Sequence, residues 1–186
     1  MDLKKIEDGF RIILEGLGED PDREGLLKTP ERVAKMYAEL LSGLSSNEKE
    51  ENVLATQFVE KYDEMILLRD IPVTSICEHH FLPFTGVAHV AYVPGNRIVG
   101  LSKLARAVDF YARRPQVQER LTTQIAELIH SSLEPKGVGV VLACTHTCMT
   151  IRGIQKTGSV MFTSKLIGSF KSNATTRAEF MSLINH

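Results

Sequence analysis

The amino-acid sequence predicts an α+β fold, in which an antiparallel sheet carries two helices on one face and follows a helical extension. Two segments with helical periodicity open the chain, and later segments rich in β-branched residues occur in pairs. Two more helical segments stand between the pairs, which gives the order ββααββ. Hairpin pairs with helices between them are typical of a sheet covered on one face. We expect residues 1–60 to form the extension and residues 61–186 to form the sheet domain.

The predicted extension contains two amphipathic helices. Apolar residues recur every three or four positions over residues 3–17. A second helix is expected over residues 29–43, because Pro30 suits the first turn of a helix. The polar stretch 45–52 that follows predicts a linker or an exposed turn.

The sheet domain is predicted from alternating strand-like and helix-like segments. Proline and glycine punctuate these segments and fix their approximate ends. Strands are expected over 65–77, 85–93, 138–151 and 159–166, a short extended piece over 97–101, and helices over 102–114, 116–133 and 176–184.

Composition excludes several classes of function. The chain has 186 residues with 22 Lys and Arg against 23 Asp and Glu, so its net charge gives no reason to expect a nucleic-acid or membrane surface. The charged N-terminus has no apolar core of a signal peptide, and no apolar run is long enough to span a bilayer. We therefore expect a cytoplasmic protein, in which three cysteines suit metal binding or catalysis better than disulfides.

Two short segments carry most of the predicted chemistry: Cys-Glu-His-His at 77–80 and His-Thr-Cys-Met at 146–149. Together they offer two thiolates and three imidazoles. Zinc held by Cys77, His80 and Cys148 would have three protein ligands and one open position. That pattern is typical of catalytic zinc, because structural zinc usually takes four protein ligands.

Strand periodicity refines this hypothesis. If the strand over 138–151 is regular, Cys144, His146, Cys148 and Arg152 share one face. Cys144 is then either a spare ligand or an inert lining residue. In a regular strand the side chains of residues 77 and 80 would lie on opposite faces. They can share a metal only if the chain turns between them, as the nearby Pro83 indicates.

A candidate anion site lies where an extended segment meets a helix. Ser102 is a candidate N-cap, and Lys103 and Arg106 lie one turn apart near the free N–H groups of the helix start. The alternative is a solvated basic helix face. Arg32 and Lys35 form a second, weaker basic pair near another helix start.

Gln118 and Glu119 open the next helix. A carboxylate in the first turn often only complements the helix dipole. A buried carboxylate can also bind the donor edge of a guanine, and the residues alone leave both interpretations open.

In their order and spacing these motifs resemble the GTP cyclohydrolase I family, and the resemblance covers nearly the whole chain. The matching segments are TPERVAKMY at 29–37, CEHH at 77–80, GLSK at 100–103, RPQVQERL at 114–121 and HTCM at 146–149, followed by Arg152-Gly153.

This resemblance implies the tunnelling fold and a homodecamer of two face-to-face pentameric rings, with active sites between subunits. It implies zinc on Cys77, His80 and Cys148, with His79 and His146 as acid/base histidines. The substrate contacts that it implies are Ser102, Lys103, Arg106 and Arg152 for GTP and its triphosphate, Arg32 and Lys35 from a neighbouring subunit, and Gln118 and Glu119 for the guanine.

The implied reaction opens the imidazole ring of GTP with water, releases formate and rebuilds the remainder as 7,8-dihydroneopterin triphosphate, the first step of tetrahydrofolate and pterin biosynthesis. Zinc suits the activation of water near neutral pH, and histidine suits the proton transfers. The phosphates are not cleaved, so lysine and arginine serve as anchors that position the base.

The chain departs from the family pattern at three positions. Ala143 replaces an acidic residue, Cys144 a small residue and Met161 a threonine. Two other functions therefore stay open: a non-catalytic zinc- and nucleotide-binding paralogue, which Ala143 favours, and another pterin or deazapurine enzyme of the same fold. The pterin synthases of that fold use three histidines on zinc, and its nitrile reductases use a catalytic cysteine without zinc.

Overall fold

The computed structural model describes residues 1–45, 47 and 49–185, and the chain divides into two compact units, Met1–Ser46 and Asn47–His186. The linker predicted over 45–52 includes Ser46 and Glu48, which lie outside the described residues. The functional division at residue 60 stays a prediction.

The first unit is a pair of helices, α1 (Leu3–Gly16) and α2 (Thr29–Leu40), followed by a 3-10 turn at Ser42–Leu44. Asp2 caps α1, because its carboxylate accepts the Lys5 N–H at 3.0 Å. The two helices pack against each other. Both helices predicted for the extension are confirmed.

The second unit contains the sheet and the remaining helices. Its elements are, in chain order, α3 (Glu50–Val53), β1 (Gln57–Val59), β2 (Ile66–Cys77), β3 (Pro83–Val93), β4 (Arg97–Val99), α4 (Leu101–Ala112), β5 (Pro115–Gln116), α5 (Gln118–Leu133), β6 (Gly137–His146), α6 (Thr147–Thr150), β7 (Met161–Gly168), α7 (Ser169–Ser172) and α8 (Ala174–Ile184). None of the helices in the described part of the chain combines the length and apolar character that a membrane span requires.

Five strands form the main sheet in the order β5-β2-β3-β6-β7. The pairs β2–β3, β3–β6 and β6–β7 are antiparallel, whereas the two-residue β5 runs parallel to the end of β2. A separate ribbon pairs β1 with β4. The predicted ββααββ order of the tunnelling fold is therefore confirmed, with β2, β3, α4, α5, β6 and β7 as its six elements.

The two faces of the sheet are covered differently. Helices α4 and α5 bury the larger core, in which alternate residues of β2, β3 and β6 face Leu104, Leu121 and Ile125. The opposite face is covered near one end by α7 and α8, where Phe170 and Phe180 meet edge to face at 5.3 Å. The predicted pair of helices on one face is thus confirmed, and the C-terminal helices lie on the other.

The segment between α4 and α5 differs from its prediction in a way that positions the site. Residues 114 and 116 were expected in helices, but Pro115–Gln116 form β5 and pair with Ile76 and Cys77. The Gln116 carbonyl also accepts the Glu78 N–H at 3.0 Å. These backbone contacts hold the first residues of α5 beside the end of β2.

The strand predicted over 138–151 is wrong at its end. β6 stops at His146, and the chain then forms the single helical turn α6. The Thr147 hydroxyl donates to the Pro83 carbonyl at 2.5 Å, so a side chain replaces the next backbone bond of the ladder. The expectation that Cys148 and Arg152 share a strand face with His146 fails for the same reason.

A glycine permits the close approach of β3 and β6 next to this turn. Gly86 lies opposite Cys144, and a Cβ built on Gly86 would lie 2.0 Å from the Ala143 carbonyl oxygen. Backbone atoms cannot yield as a flexible side chain can. Gly86→Ala is expected to lower the free energy of unfolding by about 1–3 kcal/mol, measured by denaturant titration.

Gly9→Ala is the matched control for this substitution. Gly9 lies inside α1, where an added Cβ meets nothing within 4 Å. This change is expected to leave stability equal or raise it by up to about 1 kcal/mol. Equal stabilities of the two variants would contradict the close strand approach.

Candidate functional site

A cluster of two thiols and one imidazole lies at the edge of the sheet where β2 and β6 end. Cys77 is the last residue of β2, His146 is the last of β6, and Cys148 lies in α6. One ligand atom from each residue lies within 4.8 Å of the other two. Sulfur and imidazole nitrogen are the donors that zinc and related transition metals prefer, so this group could hold such an ion.

The helical turn α6 makes this cluster possible. Had β6 continued as a strand, Cys148 would lie two residues further along the ladder. The turn at Thr147 instead brings the Cys148 thiol beside the Cys77 thiol. Burial raises the pKa of Cys148, and its contact with Cys77 raises that pKa further.

The predicted turn between Cys77 and His80 is confirmed. The Phe81 N–H donates to the Cys77 carbonyl at 2.9 Å, and the Cys77 N–H donates to the Leu82 carbonyl at 2.8 Å. His79 is exposed on this turn, and its Nδ1 lies 4.0 Å from the Cys77 sulfur.

His80 and Arg152 meet beside the cluster. His80 is exposed on the same turn, and its Nε2 accepts an N–H of the Arg152 guanidinium at 3.3 Å. The imidazole grouped with the two thiols is accordingly that of His146. His80, predicted to bind the metal, has its Nε2 lone pair directed at a positive group.

An ion pair fastens this turn to α5. Arg120 donates to both carboxylate oxygens of Glu78, at 2.6 and 3.0 Å. The guanidinium lowers the pKa of Glu78 below its ordinary value through these hydrogen bonds. The turn that carries both histidines is therefore tied to the helix that begins with Gln118.

His146 is fixed on two sides. Its ring stacks on Phe84 with a centroid separation of 4.5 Å and an interplanar angle of 9°. Its Nε2 lies 2.8 Å from Oε1 of Gln118. Burial lowers the pKa of His146, and the nearby carboxylate of Glu119 opposes that shift.

Gln118 and Glu119, both predicted to contact guanine, occupy different environments. Gln118 is only 1% exposed, and its Nε2 lies within hydrogen-bond distance of the Leu142 carbonyl, the Met161 carbonyl and the Thr163 hydroxyl. Glu119 is exposed. Of the two side chains, only the carboxylate of Glu119 is accessible to a ligand.

The predicted anion residues lie at the start of α4. The helix begins at Leu101 with Gly100 as its N-cap, so the expectation that Ser102 caps it is wrong. Ser102 is the second helical residue and is exposed, Lys103 is half-buried, and Arg106 is exposed one turn later. A helix N-terminus followed by two cations is compatible with anion binding.

Arg32 and Lys35 lie on α2 in the first unit, where both are exposed. Lys35 forms an ion pair with Glu31 one turn earlier, which lowers the pKa of that carboxyl.

Two of the three departures from the family pattern are Cys144 and Ala143, and neither belongs to the group formed by Cys77, His146 and Cys148. Cys144 is 1% exposed in the core, and burial raises its pKa to about 12, so it stays protonated at neutral pH. Ala143 pairs with Val87 and Phe162 and therefore projects from the sheet face opposite to that of Cys144 and His146.

Three contacts of this site were missed by the sequence interpretation. Arg120 was part of a quoted motif but had no assigned role, although it holds Glu78. Phe84 lies opposite His146 in the register, and Thr163 reaches Gln118 from the neighbouring strand β7. Strand register alone would have indicated Phe84, because cross-strand neighbours on one face touch.

Comparison with known proteins assigns the family. The sequence profile of the family described as GTP cyclohydrolase I matches residues 6–185. The chain is 57% identical to GTP cyclohydrolase 1 of Rhodopirellula baltica over 100% of this chain and 80% of that protein. It is 54% identical to the protein of that name from Carboxydothermus hydrogenoformans over 100% and 96%, and 55% identical to that of Brevibacillus brevis over 99% and 98%. The profile match and these identities show that this chain belongs to the GTP cyclohydrolase I family.

Proposed function

We propose that this chain is a zinc-dependent GTP cyclohydrolase I. The reaction takes GTP and water, releases C8 of the guanine as formate, and rebuilds the remaining atoms as 7,8-dihydroneopterin triphosphate. The observation that carries the proposal is the group of Cys77, His146 and Cys148 in a chain of this family. Each of the three residues also belongs to a motif of the family.

Zinc fits the donors that surround the cluster. Two thiols and the imidazole of His146 lie within 4.8 Å of one another, and His80 lies on the turn that follows Cys77. Zinc bonds sulfur at about 2.3 Å and nitrogen at about 2.0 Å, so these donor types suit it. We propose Cys77, His80 and Cys148 as the three ligands. A bound zinc ion would supply Lewis acidity toward water near neutral pH.

His79 and His146 are the proposed acid/base residues. Both imidazoles lie next to the proposed ligands, and histidine exchanges protons near working pH. The stacking on Phe84 and the bond to Gln118 restrict His146 to one ring orientation. A restricted ring delivers its proton to a fixed position, which favours transfer to one atom of the substrate.

The remaining proposed residues bind and orient GTP. The carboxylate of Glu119 is exposed beside His146 and can accept the ring N–H and amino group of guanine, and Gln118 is proposed with it by resemblance. Cationic side chains hold the triphosphate without cleaving it. The proposed anchors are Ser102, Lys103, Arg106 and Arg152, together with Arg32 and Lys35 of a neighbouring subunit.

A homodecamer with active sites between subunits accompanies this proposal. Strand β7 is an edge of the main sheet, and its Phe162 is 71% exposed. Open edges and exposed apolar side chains favour association. The homodecamer and the cytoplasmic location are proposed by resemblance.

The test is the release of formate and pterin from GTP by purified protein, with bound zinc quantified and a chelated sample as control. Release of both products, lost on chelation and restored by zinc, is the expected result. Binding of GTP without formate release would refute catalysis and support the paralogue. Full activity in a metal-free preparation would refute the role of zinc.

The pH dependence of zinc uptake is a further expectation. Because the pKa of Cys148 is raised, its thiol holds a proton at neutral pH, and zinc must displace that proton. Apparent zinc affinity should therefore rise with pH, by about tenfold per pH unit for each proton released. Competition with a chromophoric chelator measures this, and an affinity independent of pH between 6 and 8 (roughly the range in which zinc stays soluble) would exclude thiol ligands.

A further inference from the structure

The side-chain amide of Gln118 joins the backbone of two strands to the ring of His146. Its Nε2 carries two hydrogens and lies within hydrogen-bond distance of three acceptors, the Leu142 carbonyl at 3.2 Å, the Met161 carbonyl at 2.9 Å and the Thr163 hydroxyl at 3.1 Å. Its Oε1 lies 2.8 Å from Nε2 of His146. The amide thus bridges β6 and β7 at one end and His146 at the other.

The orientation of this amide follows from its partners. Carbonyl oxygens only accept hydrogen bonds, so the end of the side chain that faces Leu142 and Met161 must be the NH₂ group. The reversed orientation would direct the amide oxygen at two carbonyl oxygens in a site that is 1% exposed. Oε1 is therefore the atom that faces His146.

Two threonine hydroxyls complete a network in which each donor can be assigned. The Thr122 hydroxyl donates to the Gln118 backbone carbonyl at 2.7 Å. It lies 2.6 Å from the Thr163 hydroxyl, which must then donate to Thr122 and accept from Gln118. The proton of the hydrogen bond between Gln118 Oε1 and His146 must therefore come from the imidazole.

The ring of His146 must accordingly carry its proton on Nε2. An amide oxygen has no proton to give, so the contact at 2.8 Å is a hydrogen bond only if Nε2 donates. A neutral imidazole then has its lone pair on Nδ1. The tautomer is fixed by a glutamine that is itself fixed by the pairing of β6 with β7.

We propose that Gln118 is a positioning residue that holds His146 as the Nε2–H tautomer and leaves Nδ1 as the nitrogen that exchanges protons with the substrate. This inference rests on the proposed function. It gives Gln118 a role other than the guanine contact implied by resemblance. Both ends of the amide contact protein partners in a site that is 1% exposed, so the exposed carboxylate of Glu119 is the better placed of the two side chains to contact guanine.

The first test reads the tautomer in the zinc-loaded wild-type protein, selectively labelled with ¹⁵N-histidine, by two-dimensional NMR. His146→Ala identifies the signals of His146. A single form with the proton on Nε2 and an unprotonated Nδ1 is expected. A proton on Nδ1 with a bare Nε2, or an even mixture of tautomers, would overturn the inference without any further variant.

The second test compares Gln118→Met with Gln116→Met. Methionine keeps the unbranched shape and approximate volume of glutamine and removes the acceptor. Gln116 is the matched control, because it is also buried and its amide donates to the Tyr111 carbonyl and to Gln124. Only Gln118→Met is expected to abolish the single Nε2–H tautomer of His146.

Kinetics distinguish positioning from substrate contact. Gln118→Met is expected to lower kcat by about 10–100-fold and to change KM for GTP by less than about threefold. A KM that rises more than tenfold with an unchanged tautomer would overturn the inference and support the guanine contact. If wild-type protein releases no formate but shows the expected tautomer, the proposed function fails and the tautomer assignment stands.

Discussion

Replacing Cys148 with alanine is expected to remove bound zinc and to lower formate release from GTP by about a thousandfold or more. Cys148 supplies one of the two sulfurs in the cluster, and without it the metal would keep at most one thiolate. Loss of residues that only support ligands already costs about 10–100-fold in metal affinity or activity. Loss of a ligand should cost more, since the Lewis acid itself leaves. Metal content by mass spectrometry and formate release by coupled assay measure the two effects.

Cys144→Ala is the matched control for this prediction. It removes the same atom from a cysteine four residues earlier, which is buried, lies outside the group of Cys77, His146 and Cys148, and stays protonated. We expect it to cost about 1 kcal/mol of stability through lost packing and to leave zinc content and activity within about twofold of wild type. Zinc retained in Cys148→Ala, or lost equally in both variants, would show that the cluster is not the metal site.

The order of elements could be predicted from sequence because each element carries a strong periodic pattern. Enrichment in β-branched and other apolar residues defines β2 and β3, and three- and four-residue spacing defines α4 and α5. The ends of elements depend on contacts between distant segments, and the sequence does not display them. β6 ends early because Thr147 bonds to Pro83, which lies 64 positions away in the chain. Gln116 was predicted in a helix but lies in β5, because the end of β2 offers Pro115 and Gln116 a strand edge.

The site was predictable to the level of residue types and motifs. Two Cys/His segments, one predicted at the end of a strand and one inside another strand, indicated a metal centre, and the structure brings Cys77 and Cys148 together. Which of the three histidines joins the two thiols was not predictable, because it depends on hydrogen bonds between their ring nitrogens and residues of other elements. Arg152 takes the lone pair of His80, and Gln118 binds His146. Such competition is decided by side-chain geometry in the folded chain.

Separate alanine substitutions at His80 and His146 are expected to divide metal binding from catalysis. His80→Ala should lose most of its zinc and with it the activity. His146→Ala should keep its zinc and lower formate release by about 10²–10⁴-fold, the usual contribution of an acid/base residue. Both effects on activity are large, but only His80→Ala is expected to lower zinc content.

The physical reason lies in what each imidazole already binds. The Nε2 of His80 faces the Arg152 guanidinium from an exposed turn. A divalent cation can take the place of the guanidinium and bind the same lone pair more strongly. His146 is stacked on Phe84 and donates from Nε2 to Gln118, so protein partners fix its ring. A fixed ring with one free nitrogen suits proton transfer.

Zinc content measured on desalted protein, beside formate release, distinguishes the two roles. His130→Ala is the control, because His130 is exposed near the end of α5, outside the ligand group, and its loss should change neither quantity. If His146→Ala loses zinc and His80→Ala retains it, the metal is held by Cys77, His146 and Cys148, the three residues that already lie within 4.8 Å of one another. His80 and Arg152 would then form a substrate-binding pair, since an imidazole that is not a metal ligand and a neighbouring guanidinium can both donate to a phosphate.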